Sequence, residues 1–309
     1  MIICTLAYLL ILFVTPSAAL AGSKYGASLW LTELLPTLLP FFIGIRMFQQ
    51  SLPQIASRRG TLLLGLLCGY PTGAAFVVYQ YQRGLLPKHQ AYFFLGFANN
   101  PSPMFILSFC GSYILHLSYA DSVFLFLTIV LTSLLGSLIF SFLYKKRYGV
   151  VCAAPSSSSL FTSGKTATFS QYIDDAIEQS FLLITKIGGY VILFCIIGQI
   201  VGQFVSLQSA SGITALGALE ITSGISYLKQ APLSHSTKEI LTAMLLCFGG
   251  LSAAAQTNSV LAKSGLSVFP YVINKFLNAL LAGAIVSLLL QQKKKGVFRH
   301  GKFSDNFPL

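Results

Sequence analysis

Glu220 closes the uncharged apolar run Ala215-Leu216-Gly217-Ala218-Leu219, and the run breaks directly after it at Ile221-Thr222-Ser223-Gly224. An ionised acid at membrane depth is costly, so it faces a cavity, pairs, or takes a proton. Thr222 and Ser223 supply hydroxyls, and Gly224 allows backbone shapes closed to other residues. Three more apolar runs are damaged in the same way. Gly69-Tyr70-Pro71-Thr72-Gly73 removes a backbone donor at Pro71 and adds a phenol at Tyr70. Asn99-Asn100-Pro101-Ser102-Pro103 places two amides ahead of two ring residues, and Gly249-Gly250 precedes Gln256 and Asn258. Carbonyls and N–H groups freed at such breaks, joined by these side chains, are ligands for a polar solute, an ion or a proton. The plain structural alternative is a set of kinks and interhelical hydrogen bonds.

This is binding chemistry rather than catalysis. The sequence contains no HExxH, GxSxG or P-loop, and His89, His116, His235 and His300 are isolated. Six scattered cysteines form no CxxC pair and read as small apolar packing residues, so neither a metal nor a cofactor is expected. Glu33, Arg46 and Lys186 lie near segment ends, within reach of the interface, and are weaker candidates.

The elements that must hold these groups are membrane helices. The chain has 309 residues, 54% of them hydrophobic and only 9% charged, against about 25% in soluble chains. Its long runs do not alternate, which excludes a barrel and leaves helices. Apolar elements fall at 2–21, 28–49, 61–81, 90–117, 122–144, 178–205, 211–228, 239–262 and 268–291. The formal charge of +12 reflects clusters such as Lys145-Lys146-Arg147 and Lys293-Lys294-Lys295 just after apolar runs. That is the pattern of cytoplasmic loops, not of nucleic-acid binding. The run 1–21 lacks a positive n-region, so it is expected to stay as a span rather than be cleaved.

The breaks recur at one offset, because 151 positions separate Gly73 from Gly224 and also Phe97 from Phe248. Matched interruptions in two halves point to a polar site at mid-bilayer. The expected organisation is an N-terminal span (1–27), a first membrane repeat (28–144), a cytoplasmic linker (145–177), a second repeat (178–292) and a basic tail (293–309). Two topologies compete. If 61–81 and 211–228 cross fully, each half has four crossings and the halves are parallel. If they are re-entrant hairpins, the halves are inverted, Arg58, Arg59, Arg83 and Lys88 share the cytoplasmic side, and Lys293–Lys295 fall outside.

Five ordered motifs carry a family resemblance: Leu39-Pro40-Phe41-Phe42-Ile43, Gly69 to Ala74, Asn99 to Leu107, Leu219 to Gly224, and Phe248 to Gln256. Together they resemble the YlbJ-type sporulation integral membrane proteins, grouped with the nucleoside-recognition or gate-domain proteins of endospore-forming bacteria. The resemblance implies a multi-pass protein of the bacterial inner membrane, needed for spore cortex formation, with a fold related to nucleoside transporters. It also implies a lysine after the Gly-Tyr-Pro-x-Gly-Ala motif, where Ala75 stands, and a more polar run at Ala253-Ala254-Ala255.

The expectation is therefore an all-α polytopic membrane protein of two related halves with broken or re-entrant helices. It would carry a small solute at a site built from Glu220, Thr222, Ser223, Tyr70, Thr72, Asn99, Asn100 and Gln256. Gly69, Pro71, Gly73, Pro101, Gly224, Gly249 and Gly250 make the breaks. The alternative is a non-transporting scaffold for sporulation proteins, with function in the linker. Solute and oligomeric state are not legible.

Overall fold

The computed structural model describes residues 2–51, 65–151, 169–262 and 264–301. All regular elements among them are helical, and five helices are long and apolar enough to cross a membrane: Pro16–Phe48, Tyr119–Tyr148, Ser170–Val201, His235–Leu261 and Val268–Gln292. The chain is a multi-pass α-helical membrane protein.

Helix α1 (Ile2–Val14) ends at Thr15, and Pro16 opens α2 (Pro16–Leu29) from the first turn, where a missing N–H costs nothing. The boundary expected at residue 27 falls inside a helix. α2 continues through a π-helical stretch (Trp30–Leu34) into α3 (Leu35–Ser51) without a stop. Pro36 lacks the donor that would reach the carbonyl of Thr32, and the widened turn falls on those residues. The α2–α3 rod lies antiparallel to α7 (Phe169–Val201). Trp30 Nε1 donates to Ile184 O at 2.9 Å, its indole lies on Gly188, and Gly22 and Gly26 meet the α7 backbone near Ile196 and Ile192.

Two helix pairs follow a common order. In the first, a helical turn at 65–68 precedes α4 (Thr72–Gln82). Then α5 (Lys88–Ala98) leads through a break into a π-helical stretch (Phe105–Ile114). α6 (Tyr119–Tyr148) closes this part, capped by Ser118 Oγ, which accepts from Asp121 N at 3.1 Å. After α7, the second set is α8 (Ala210–Leu219), α9 (Ile221–Gln230), α10 (His235–Phe248) and α11 (Gly250–Leu261). α12 (Val268–Gly301) ends the described chain.

The chain turns back at two of the breaks. α8 packs on α9, so that Gly224 lies against the backbone of Gly217. Seven residues of straight helix would hold those positions about 10 Å apart. Likewise Gly65 and Gly73 both lie against Ala98, which a straight helix would not allow across eight residues. The other two breaks are bends: α5 continues into Phe105–Ile114, and α10 into α11.

The ends of the bundle sort by contact. At one end Lys88 N donates to Val151 O at 2.6 Å and Tyr92 OH to Ser267 O at 3.2 Å. At the other, His235 Nε2 lies 3.1 Å from Leu115 O and its Nδ1 2.7 Å from Glu239 Oε1. α12 therefore starts beside Tyr92 and carries residues 293–301 out at the opposite end. Helices also claim both edges of the expected linker, because α6 runs to Tyr148 and α7 starts at Phe169. Residues 152–168, with the Pro155–Ser159 segment, lie outside the described residues, as do Arg58, Arg59 and the tail 302–309.

A buried apolar core spans the bundle, including Leu34, Phe42, Phe105, Ile184, Ile213, Ile225 and Leu246. A second cluster around Val77, Tyr92, Leu95 and Tyr271 supports α4 and α5.

Candidate functional site

Three of the breaks contain glycine or proline, whereas the α8–α9 break falls at Glu220, and Gly224, expected to make it, lies inside α9. Gly69 has φ +69°, and a Cβ there would meet Ser102 N at 2.8 Å and Asn100 O at 2.9 Å. Only glycine permits both that backbone and that approach. Tyr70 N then donates to Asn100 O at 3.1 Å, which ties the first break to the second. Gly249 and Gly250 have φ of +84° and +80°, and Gly250 sits against Gly217 O, Leu219 O and Ile221 N, tying the fourth break to the third. A Cβ on Gly249 would lie 3.8 Å from the Tyr70 ring and 3.9 Å from Lys275 Cε. All four interruptions thus meet in one region.

Glu220 is the pivot of the α8–α9 hairpin. Its extended backbone ends α8, and its buried carboxylate accepts from Thr222 N at 3.0 Å and Ser223 N at 2.6 Å, capping α9. An acid at a helix N-terminus meets orphan donors and the positive end of the helix dipole. Ser223 Oγ also donates to Glu220 O at 3.0 Å. Glu220→Ala removes both acceptors and leaves two buried N–H groups unpaired, at about 1–3 kcal/mol each. Glu220→Gln keeps one amide oxygen for them. The expected stability order in detergent-solubilised thermal unfolding is wild type, then Gln, then Ala; an Ala variant as stable as wild type would show that the cap holds nothing.

One cavity of about 40 Å³ lies at the convergence. Its polar wall is Tyr70, Ser102, Glu220, Thr222, Ser252 and Gln256, and its apolar wall comes from α3, Phe105 and α7. A water needs about 10–15 Å³ by this measure, so the space holds a few waters or an ion, not a nucleoside. Gln256 is 2% exposed, and its Oε1 has no hydrogen-bond partner among the described residues. Its Nε2 reaches Ser252 Oγ only at 3.5 Å.

Of the residues expected from sequence to bind, Tyr70, Glu220, Thr222 and Gln256 line this cavity, and Thr72, Ser223, Asn99 and Asn100 do not. The two asparagines are fully engaged behind it. Asn99 Oδ1 accepts from Ala74 N at 3.1 Å, and its Nδ2 donates to Thr257 Oγ1 at 2.9 Å and Tyr271 OH at 3.2 Å. Asn100 Nδ2 donates to Phe97 O at 2.7 Å, and its Oδ1 accepts from Lys275 Nζ. Both amides therefore hold α5 to α4, α11 and α12. Thr72 is the buried first residue of α4.

Sequence reading missed Lys275. It is 1% exposed in the third turn of α12, and Asn100 is its hydrogen-bond partner. A lysine thus does stand beside the first pair of breaks, where Ala75 cannot supply one, but the last helix brings it. Tyr271, Asn274, Lys275 and Asn278 share one buried face of α12. Asn274 Nδ2 donates to Tyr92 O at 2.9 Å, and Asn278 Nδ2 to Gly96 O and Ser137 Oγ, each at 3.3 Å. The available signal was their spacing of three and four residues, which puts them on one helix face.

The chain is similar to "Sporulation integral membrane protein YlbJ" of Bacillus subtilis (strain 168), 23% identical over 325 residues, which covers 89% of this chain and 78% of that protein. No family model matches the chain. No solved structure matches it either.

Proposed function

We propose that this protein serves spore formation in a bacterial cell membrane and works there as a carrier-type protein for a small polar solute. The observation that carries the reading is the convergence of four backbone interruptions on one small, partly open cavity, whose wall includes buried polar side chains and an acceptor, Gln256 Oε1, without a partner among the described residues. Discontinuous helices that meet at mid-membrane are how many secondary transporters build a binding site. The similarity to a sporulation membrane protein, with the motifs that imply cortex formation, supplies the cellular context.

Element order supports a repeat. Each half runs long helix, re-entrant hairpin, bent span, long helix: α2–α3 to α6, then α7 to α12. Three crossings per half give inverted halves. The end carrying Arg83, Lys88, Lys145, Lys146 and Arg147 is then cytoplasmic, and residues 293–301 emerge on the other side. A solute larger than this small cavity enters only when a hairpin tip moves.

Uptake into proteoliposomes tests the reading, with a panel of labelled small polar solutes including nucleosides. Wild type is expected to take up at least one, and Glu220→Gln to lower that uptake more than tenfold while still folding. Absence of uptake for every solute would sink the carrier reading; equal uptake by both forms would remove Glu220 from it.

A further inference from the structure

We propose that the cavity between the hairpin tips is a binding site for a monovalent inorganic cation. The inference rests on reading this cavity as a ligand site, and it names the ligand. Six of the lining residues carry side-chain oxygen: Tyr70, Ser102, Glu220, Thr222, Ser252 and Gln256. Hard cations take such oxygens.

Two of these groups lack what a cation supplies. Gln256 Oε1 is buried without a donor among the described residues. The Glu220 carboxylate accepts from two backbone N–H groups and is also bonded by the Thr222 and Ser223 side chains, yet among the described residues no cationic side chain pairs with it within 4.0 Å. A buried carboxylate without a counter-charge is unfavourable. A cation seated between Glu220 and Gln256 satisfies both at once.

Size and charge narrow the ion further. About 40 Å³ admits an ion with one or two waters and little more. The wall contributes one formal negative charge, from Glu220, which a single monovalent cation balances. In a carrier, an ion held at the tips of both hairpins would bias them towards closure, which is how a coupling ion acts.

Thermal unfolding of the purified full-length protein in detergent tests this, with sodium, potassium and choline chloride compared at one ionic strength and pH. Sodium or potassium is expected to raise the midpoint by roughly 2–5 °C over choline by mass action. Gln256→Leu fills the same volume without an orphan acceptor. It should be at least as stable as wild type in choline and lose the ion-dependent rise, and Glu220→Gln should lose that rise too. Equal midpoints in all three salts, or a rise that survives in Gln256→Leu, would overturn the proposal. A midpoint that follows pH alike in every salt would overturn it in favour of a proton. An ion-dependent rise with no solute uptake would keep the ion site and remove the carrier reading, so the two ideas fail separately.

Discussion

Gly224→Ala is expected to keep the α8–α9 hairpin from closing. The added methyl would fall onto Gly217 Cα and lie 2.5 Å from Gly217 N, with Ile213 O at 3.4 Å. These are backbone atoms, so no flexible side chain can step aside. Overpacking costs typically about 1–3 kcal/mol, and backbone contact puts this site at or above the upper figure. The effect reaches the cavity, because Glu220 and Thr222 belong to the hairpin tip. The control is Gly189→Ala on α7, where a Cβ would meet nothing within 4 Å. That change should be neutral or stabilise the helix by up to about 1 kcal/mol. Thermal midpoints of both variants in one detergent give the comparison. A Gly224→Ala protein that unfolds with wild type would mean that the two arms do not touch.

Asn99→Ala is the second large loss. Its amide joins α4, α5, α11 and α12 through three hydrogen bonds, to Ala74 N, Thr257 Oγ1 and Tyr271 OH. Truncation leaves the buried Ala74 N–H without an acceptor and takes one donor from the Thr257 and Tyr271 hydroxyls, which remain bonded to each other. An unsatisfied buried group costs about 1–3 kcal/mol, so with the weakened hydroxyl pair a total of about 2–4 kcal/mol is expected. Asn278→Ala provides the contrast. Asn278 makes two long bonds of 3.3 Å, and its Oδ1 already lacks a partner. Its loss should cost less than half as much. Chemical or thermal unfolding of the two variants checks the order, and equal losses would contradict the view that Asn99 fastens the breaks together.

The interruptions themselves were legible because helix breaking is local. Pro71 lacks a donor wherever it sits, and glycine alone tolerates the backbone of Gly69, Gly249 and Gly250. Glu220 was legible for a similar reason, since a charge in an apolar run is conspicuous without any fold. What each polar residue does was not. Asn99 and Asn100 look like ligands in sequence, yet neighbouring helices consume their amides. Glu220 looks like a free acid, and the tip of its own hairpin uses it as a cap.

Lys275 shows the reverse error. It stands in an apolar segment that spans the membrane, and only the packing of α12 against α5 and α10 turns it inward to Asn100. Whether 61–81 and 211–228 cross or turn back was equally closed to sequence. Both outcomes satisfy the same composition, and the difference lies in whether Gly224 meets Gly217.

Composition and spacing by themselves determined that this is a helical membrane protein with four interrupted apolar runs and one conspicuous acid, because burial in lipid and helix breaking act residue by residue. Tertiary structure alone decided that the breaks meet, that Gln256 keeps an unpaired oxygen, and that a lysine far along the chain stands behind them. Those facts depend on which helix faces pack together, and packing is a property of the whole chain.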